Sequence, residues 1–360
     1  MTWFNRRPHV RWLVPLLAAV LLLAGGSVIG AIAASAQGGL PERSAAQLLV
    51  DVQKAHLTGL SGTVVQNADL GLPTLPGVGG SGSSDLTSLV SGSHTLRIWY
   101  ADPGHVRLAL LGSLGESDVV RNGKDLWTWS SSSHAATHRT LDTGTEQPPR
   151  SLADASPLSP QQAADAALAA IGSTTEVTTD GTARVADRPA YELVLKPKDS
   201  RSLIDSVRIA IDGKAHVPTR VQVFARGAGK PSFEIGFTSF DPSTPSSSVF
   251  GFAPPPGTKV TQGDQAGAGK PTTPQGAAPA APKVVGKGWT SVAVAQLPSG
   301  ASKDLGPMGS LVDKMPAVSG SWGSGHVLRG TLFSAVLSDD GRIAIGAVAP
   351  DLLYAALAAR

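Results

Sequence analysis

The chain has 360 residues, enough for two modest domains, and its 41 glycines and 27 prolines beside only 16% charged residues favour strands and turns over long helices. The absence of cysteine excludes a disulfide framework, a thiolate nucleophile, Cys-ligated zinc and a lipidated cysteine. The formal charge of +3 is matched by Arg6, Arg7 and Arg11 in the first 36 residues, which leaves 27 basic against 27 acidic residues and no nucleic-acid footprint.

Those arginines precede an apolar run, Leu13–Ala34, that would span ~33 Å as a helix, enough for a bilayer core. Positive charge on that side places the N-terminus in the cytoplasm and the body outside. The run ends in Ala34-Ser35-Ala36, a small-x-small pattern suited to signal peptidase. Residues 1–36 therefore read as a signal peptide or a signal anchor. A retained anchor leaves an extracytoplasmic body on the cell membrane, held to the cytoplasmic membrane by its N-terminal helix; cleavage after Ala36 secretes it.

Residues 41–57 place Ala45, Leu48, Leu49, Val52 and Leu57 near helical spacing and predict one amphipathic helix. A short strand at Thr63–Gln66 is followed by a Gly/Ser/Pro-rich insertion, 71–93, whose Leu86, Leu89 and Val90 interrupt its polarity. From 94 to 130 the pattern is β. Leu96, Ile98 and Tyr100 alternate with Arg97 and Trp99, and Val106, Leu108 and Leu110 follow the turn at Asp102-Pro103-Gly104. Asn122-Gly123 then divides DVVR from KDLWTWS, a hairpin signal. Ser159 and Pro160 open a second predicted helix that Gly172 stops. Strands are predicted at 176–179, 183–186, 191–196, 206–211, 220–224 and 233–240, with turns at Asp180-Gly181, Asp187-Arg188-Pro189 and Asp212-Gly213. Residues 254–283 read as a Pro/Gly/Ala-rich linker. A small α+β unit, 284–360, follows: strands in GWTSVAVAQL, HVLRGTLFSAVLS and RIAIGAVAP, then a helix in DLLYAALAA.

Chemistry is sparse. No nucleophile elbow, metalloprotease helix, phosphate loop or dinucleotide fingerprint is present, so no catalytic residue, metal ligand set or cofactor can be named, and the chain does not read as an enzyme. His134 and His138 share helical spacing in a segment without helical periodicity and read as surface-loop histidines. Trp99, Trp127 and Trp129 admit two readings, ordinary sheet packing or the wall of an apolar ligand cavity.

Residues 42–260 resemble the LolA-like superfamily, which includes lipoprotein carriers, the RseB/MucB sigma-factor regulators and mycobacterial lipid carriers. HTLRIWYADPGHVRLAL is similar to the strand–turn–strand around a family proline, here Pro103, and DVVRNGKDLWTWS to the hairpin ending in its "LW" strand. YELVLKPK, DSVRIAIDGKAHVPTRVQV and VFGFAPPPGTKV follow in family order. The resemblance implies a mainly β fold over 40–260: an unclosed, curved antiparallel half-barrel with plugging helices and an apolar hollow for acyl chains. Leu96, Ile98, Tyr100, Val106, Leu108 and Leu110 are expected to line that hollow beside Trp127 and Trp129, with Arg97 and Arg107 turned to solvent. Many carriers have a basic residue where this chain has Asp102, and the insertion and the C-terminal unit lie outside the carrier pattern. The expected partner is a lipid acyl chain or a lipoprotein; the alternative is a membrane regulatory protein, contacted by an RseB-like sensor of a sigma-factor pathway.

The topology is open to a direct test. A reporter active only outside the cytoplasm, fused after Arg360, should work; activity of a cytoplasm-only reporter there would reverse the orientation.

Overall fold

The computed structural model describes residues 40–72, 84, 88–89, 91–113, 115–141, 172–263, 282–297, 312 and 315–359. The apolar run 13–34, the predicted helix opening at Ser159 and most of the insertion and linker lie outside them. No helix among the described residues is long and apolar enough to cross a membrane.

Two antiparallel meanders make up the larger sheet. The first runs through β1 (Leu60–Ala68), β2 (Gly92–Asp102), β3 (His105–Leu111), β4 (Glu116–Asn122), β5 (Asp125–Ser130) and β6 (Ala135–Thr140). The second runs through β7 (Thr175–Val185), β8 (Arg188–Pro197), β9 (Ile204–Asp212), β10 (Pro218–Ala225) and β11 (Phe233–Asp241). β11 returns to pair with β1, and β12 (Lys259–Gln262) adds in parallel to β6. The result is a curved, open 12-stranded sheet ordered β12-β6-β5-β4-β3-β2-β1-β11-β10-β9-β8-β7.

The joining strand is constrained at Gly62. A Cβ there would run into the Ser239 carbonyl and the Phe237 ring, so only glycine lets β11 approach. The ladder shifts register between Thr63 and Val64, and the Thr63 N–H donates to Ser239 Oγ at 3.0 Å.

Helix α1 (Ala45–Lys54) begins at Ser44 with a reciprocal capping box: Ser44 Oγ accepts from Gln47 N–H, and Gln47 Oε1 accepts from Ser44 N–H. It is shorter than the predicted 41–57, because the chain turns extended at Ala55. Its buried Leu48 and Val52 pack on Tyr191, Leu193 and Ile211. Directly opposed residues of an antiparallel ladder point to the same side, so the face under α1 can be followed strand by strand. Leu193, Ile209, Val221, Ile235, Gln66 and His94 form one continuous row on it, the inner face.

Several elements differ from the sequence reading. Asp180-Gly181 is no turn: β7 runs straight through, with a bulge between Thr179 and Thr182 and Gly181 at φ 54°. A bulge and a turn recruit the same Asp-Gly chemistry. β6 was not predicted, and the first part of the expected linker pairs as β12. HVLRGTLFSAVLS divides into two strands at Gly330–Phe333, where Gly330 N–H donates to Phe333 O at 2.9 Å.

The second sheet comprises β13 (Lys283–Val285), β14 (Val292–Gln296), β15 (Ala317–Gly320), β16 (Gly323–Arg329), β17 (Ser334–Ser338) and β18 (Arg342–Gly346), in the order β13-β14-β18-β17-β16-β15. Helix α2 (Pro350–Ala358) buries Leu353 and Leu357 against Val292, Val327 and Val336, and Tyr354 stacks on Trp322 at 5.4 Å and 4°. This unit touches one end of the larger sheet. Leu203 N–H donates to Ala347 O at 2.8 Å, Thr331 N–H to Leu70 O at 2.7 Å, and Trp289 Nε1 to Thr175 Oγ1 at 2.8 Å.

Asp212, 1% exposed, accepts both arms of Arg188 at 2.6 and 2.9 Å and the N–H groups of Lys214 and Ala215. Burial pushes its carboxyl up, but Arg188 and these N–H groups outweigh burial and hold it below the ordinary value. The pair's stabilisation is therefore present above the unfolded Asp value and is lost as pH falls through the lower, folded one. Asp212→Asn should cost about 2 kcal/mol at neutral pH, less than a fully buried pair because Arg188 keeps some solvent exposure. The gap between variant and wild type should narrow in acid; urea midpoints that stay equally far apart from neutral pH to pH ~2 would refute the assignment.

Candidate functional site

The expected lining residues divide between the two faces. On the inner face of β1–β6, Val64, Leu96, Leu110, Ser117, Ser130 and Ala135 form one row. Gly62, Ile98, Leu108, Val119, Thr128 and Thr137 form the next. Leu60, Tyr100, Val106, Arg121, Leu126 and Arg139 form the third. Leu96, Ile98, Tyr100, Val106, Leu108 and Leu110 thus share the inner face as the alternation predicts. Val64, Leu96 and Leu110 are buried as a cluster, and Leu89 of the insertion, Ile98, Leu108, Ile235 and Phe237 pack around it. Ile98, Tyr100, Val106 and Leu108 are half-buried.

Trp127 and Trp129 are not with them. Trp127 opposes Val120 and His138, and Trp129 opposes Asp118 and Ala136; through Arg107 and Ala109 both belong to the outer face with Trp99 and Arg97. The expectation of one hollow lined by all eight residues is corrected by parity. Side chains alternate strictly along a strand, and the hairpin register sets Trp127 and Trp129 opposite the even-numbered members of β4.

The outer face carries a covered cluster. Residues 246–252, which include a short 3-10 turn at Ser247–Phe250, cross β3–β5, and Phe250 is 1% exposed. Phe252 lies 5.3 Å from the Trp127 ring and 6.4 Å from that of Trp129. His138 stacks on Trp127 at 4.3 Å and 14° and bonds Asp125 at 2.7 Å, so it is a strand residue in an aromatic stack and no loop histidine. His134, by contrast, sits in the turn before β6 at φ 48°.

Arg107 is not the solvent-facing residue expected. Its NH2 bonds Asp118 Oδ2 at 2.6 Å, its NH1 donates to the Val249 carbonyl at 3.4 Å, and its guanidinium lies 5.5 Å from the Trp99 ring centroid. Asp118 is 2% exposed, so the arginine neutralises a desolvated carboxylate and holds the crossing segment at once. Burial, then Asp118, raise the carboxyl of neighbouring Glu116, against the opposing pull of Arg107 and Arg97. Arg107 Nε, Asp118 Oδ1 and Trp129 Nε1 are buried without a protein partner among the described residues. Arg97, on the same face, is exposed.

At the β2–β3 turn, Asp102 Oδ2 bonds His105 Nδ1 at 2.8 Å and Asp102 Oδ1 accepts from Gly104 N–H. Burial pushes the Asp102 carboxyl up, but these bonds outweigh it and hold the group below its ordinary value. Burial, with Asp102 nearby, raises the Tyr100 phenol. A cavity of ≈ 570 Å³ lies elsewhere, between the first turn of α1 and the β7–β8 pair, lined by Arg43, Gln47, Thr182 and Tyr191 among others. None of the eight expected residues lines it. No cluster of three or more His, Asp or Glu among the described residues is placed to hold a metal.

No family model and no curated protein matches the chain. Among solved structures it is similar to the Pseudomonas aeruginosa MucA/MucB complex, with 16% identity over 87% of this chain and 96% of that one and a TM-score of 0.43. An uncharacterized conserved protein from Thermus thermophilus matches at 14% identity over 60% of this chain and 97% of that one, with a TM-score of 0.33. A LolA superfamily protein from Nitrosomonas europaea matches at 9% identity over 59% and 99%, with a TM-score of 0.21. The LolA-like resemblance read from the motifs thus recurs among solved structures.

The crossing segment is testable through its anchor. Phe250→Ala should cost about 3 kcal/mol or free the segment locally, and proteolysis within 246–258 should accelerate while tryptophan emission shifts to the red. Unchanged emission and cleavage would mean that Phe250 does not hold it.

Proposed function

We propose that this chain is an extracytoplasmic binding protein of the cell envelope that holds an acyl chain, from a lipid or a lipoprotein, against the inner face of β1–β4. One observation carries the reading. Beside the buried Val64–Leu96–Leu110 cluster, the same face continues into half-buried Ile98, Leu108 and Val119, while the α1 cluster lies at the other end of the sheet, on β8 and β9. Extending an apolar row over a methylene chain releases water at ~0.8 kcal/mol per buried CH₂, so a few contacts suffice for retention. Nothing in the reading requires catalysis, a metal or a cofactor. The body lies outside the cytoplasmic membrane, tethered through residues 13–34 or released after Ala36.

A second reading is favoured by the second unit, which backbone bonds at Leu203–Ala347 and Leu70–Thr331 tie to the sheet. A carrier has no evident need for it. An RseB-like sensor that reads envelope state through protein contacts would use such a fixed second surface. A sigma-factor or anti-sigma-factor gene beside its own would favour that role.

Native mass spectrometry of the gently purified exported body should show bound lipid. Leu108→Glu should abolish capture, because a carboxylate in the apolar row loses its hydration. The matched control is Arg97→Gln, exposed on the outer face, which should capture lipid like wild type. Arg107 cannot serve as the control, since it compensates Asp118. A folded Leu108→Glu variant that captures lipid as well as wild type would sink the acyl-binding reading and promote the sensor.

A further inference from the structure

The cavity of ≈ 570 Å³ between the first turn of α1 and the β7–β8 pair plays no part in the acyl-binding reading, and its chemistry is different. Its size is that of a small-molecule site. Tyr191 of β8 lines it and is only 5% exposed, since it packs in the cluster of Leu48 and Val52 from α1. The Tyr191 hydroxyl nevertheless makes no hydrogen bond among the described residues. A phenol so deeply placed ordinarily has a partner.

The bulge in β7 supplies a second wall. Thr179 opposes Leu193 and Thr182 opposes Tyr191, so both threonines belong to the inner face and both line the cavity. Three residues apart on an unbroken strand, they would point to opposite faces. Asp180 between them bonds Arg208 of the outer face at 3.3 Å. The approach to α1 contributes Arg43 and its first turn contributes Gln47. Gln47 Oε1 is taken by the Ser44 N–H, which leaves the amide donors. Arg43 Nε is buried without a hydrogen-bond partner among the described residues, and so is Asp51 Oδ2, 3.7 Å away. That separation offsets charge without occupying the guanidinium donors.

Charge therefore selects against ions here. Arg43 is matched by Asp51, and exposed Glu42 brings a further carboxylate to the cavity, so an anion gains little. A cation would meet the Arg43 guanidinium. What remains is hydrogen-bonding capacity of both kinds in a small space: guanidinium and amide donors, hydroxyl groups that give and accept, and the Glu42 carboxylate. Leu40 and Pro41 add apolar surface beside them.

We infer that this cavity binds a neutral saccharide, its hydroxyl groups meeting Tyr191, Thr182, Arg43 and Gln47 and its C–H face lying on Leu40 and Pro41. Sugar hydroxyls suit the lining because each of them both donates and accepts. A hydrocarbon chain would leave the Tyr191 hydroxyl and the Arg43 donors without partners. The inference is independent of the acyl reading, because none of the residues expected to hold an acyl chain lines this cavity.

The test uses the full chain in amphipol and ligand-observed NMR. Glucose, mannose, galactose and N-acetylglucosamine are titrated beside glucuronate and glucosamine, which carry a negative and a positive charge on a ring of the same size. At least one neutral sugar should bind with a millimolar Kd that salt leaves unchanged, and ahead of both charged sugars. Tyr191→Phe removes one hydroxyl and keeps the ring, and should weaken that sugar about five-fold. Thr182→Val, at an exposed position, should do likewise, so a folding defect in one variant does not decide the outcome. Lipid capture, read by native mass spectrometry, should be the same in both variants as in wild type. Absence of binding by all four neutral sugars at about 50 mM overturns the inference, as does undiminished binding in both variants. Equal or tighter binding of glucuronate or glucosamine overturns it too, and each of these results leaves the acyl reading untouched.

Discussion

The pairing of β1 with β11 is the contact on which the larger sheet depends. Each meander is built from neighbours in sequence, yet neither alone presents a face broad enough to hold both α1 and the Leu96 cluster. Joining residues some 175 positions apart, as Thr63 and Ser239 are, carries a loop-closure cost that local hairpins avoid. The approach is possible because Gly62 has no side chain, and the register is fixed because a one-residue slip would turn Val64 and Gln66 outward. With that seam made, the face under α1 becomes continuous with the face under Leu89, and an apolar surface divided in sequence becomes one surface in space.

The two sides of the sheet then follow different rules. The inner side is apolar, and on β2 and β3 its Ile98, Tyr100, Val106 and Leu108 are half-buried. The outer side of β3–β6 is closed by the chain itself, through Phe250 and Phe252 over Trp127 and Trp129. Beneath that cover lies Asp118, which survives desolvation because Arg107 is bonded to it. The second meander repeats the device with Arg188 and Asp212. Buried pairs of this sort add little net stability, but losing one partner is expensive, so they fix register more than they raise the melting point.

The second unit is joined to the larger sheet through backbone and side-chain bonds. Its bonds to Leu70, Leu203 and Thr175 all fall at one end of the larger sheet, beyond β1, before β9 and where β7 begins. They also make the two units one mechanical body at that end.

Much of this was legible in the sequence. Strict alternation at Leu96–Tyr100 and Val106–Leu110 determined which side chains share a face, and Asn122-Gly123 determined where β4 turns into β5. The absence of cysteine and the even charge balance determined which chemistries are missing. These are properties of neighbouring residues, and the period-two pleat carries them without reference to the rest of the chain. What the tertiary structure alone decided was how faces combine across strands. Trp127 and Trp129 went outward because the hairpin register set them opposite Val120 and Asp118. Arg107 was drawn into a buried pair because a segment more than a hundred residues downstream crosses over it. Asp180-Gly181 became a bulge because β8 continues past it. Each outcome turns on a non-local partner, and the partner's position is absent from any local pattern.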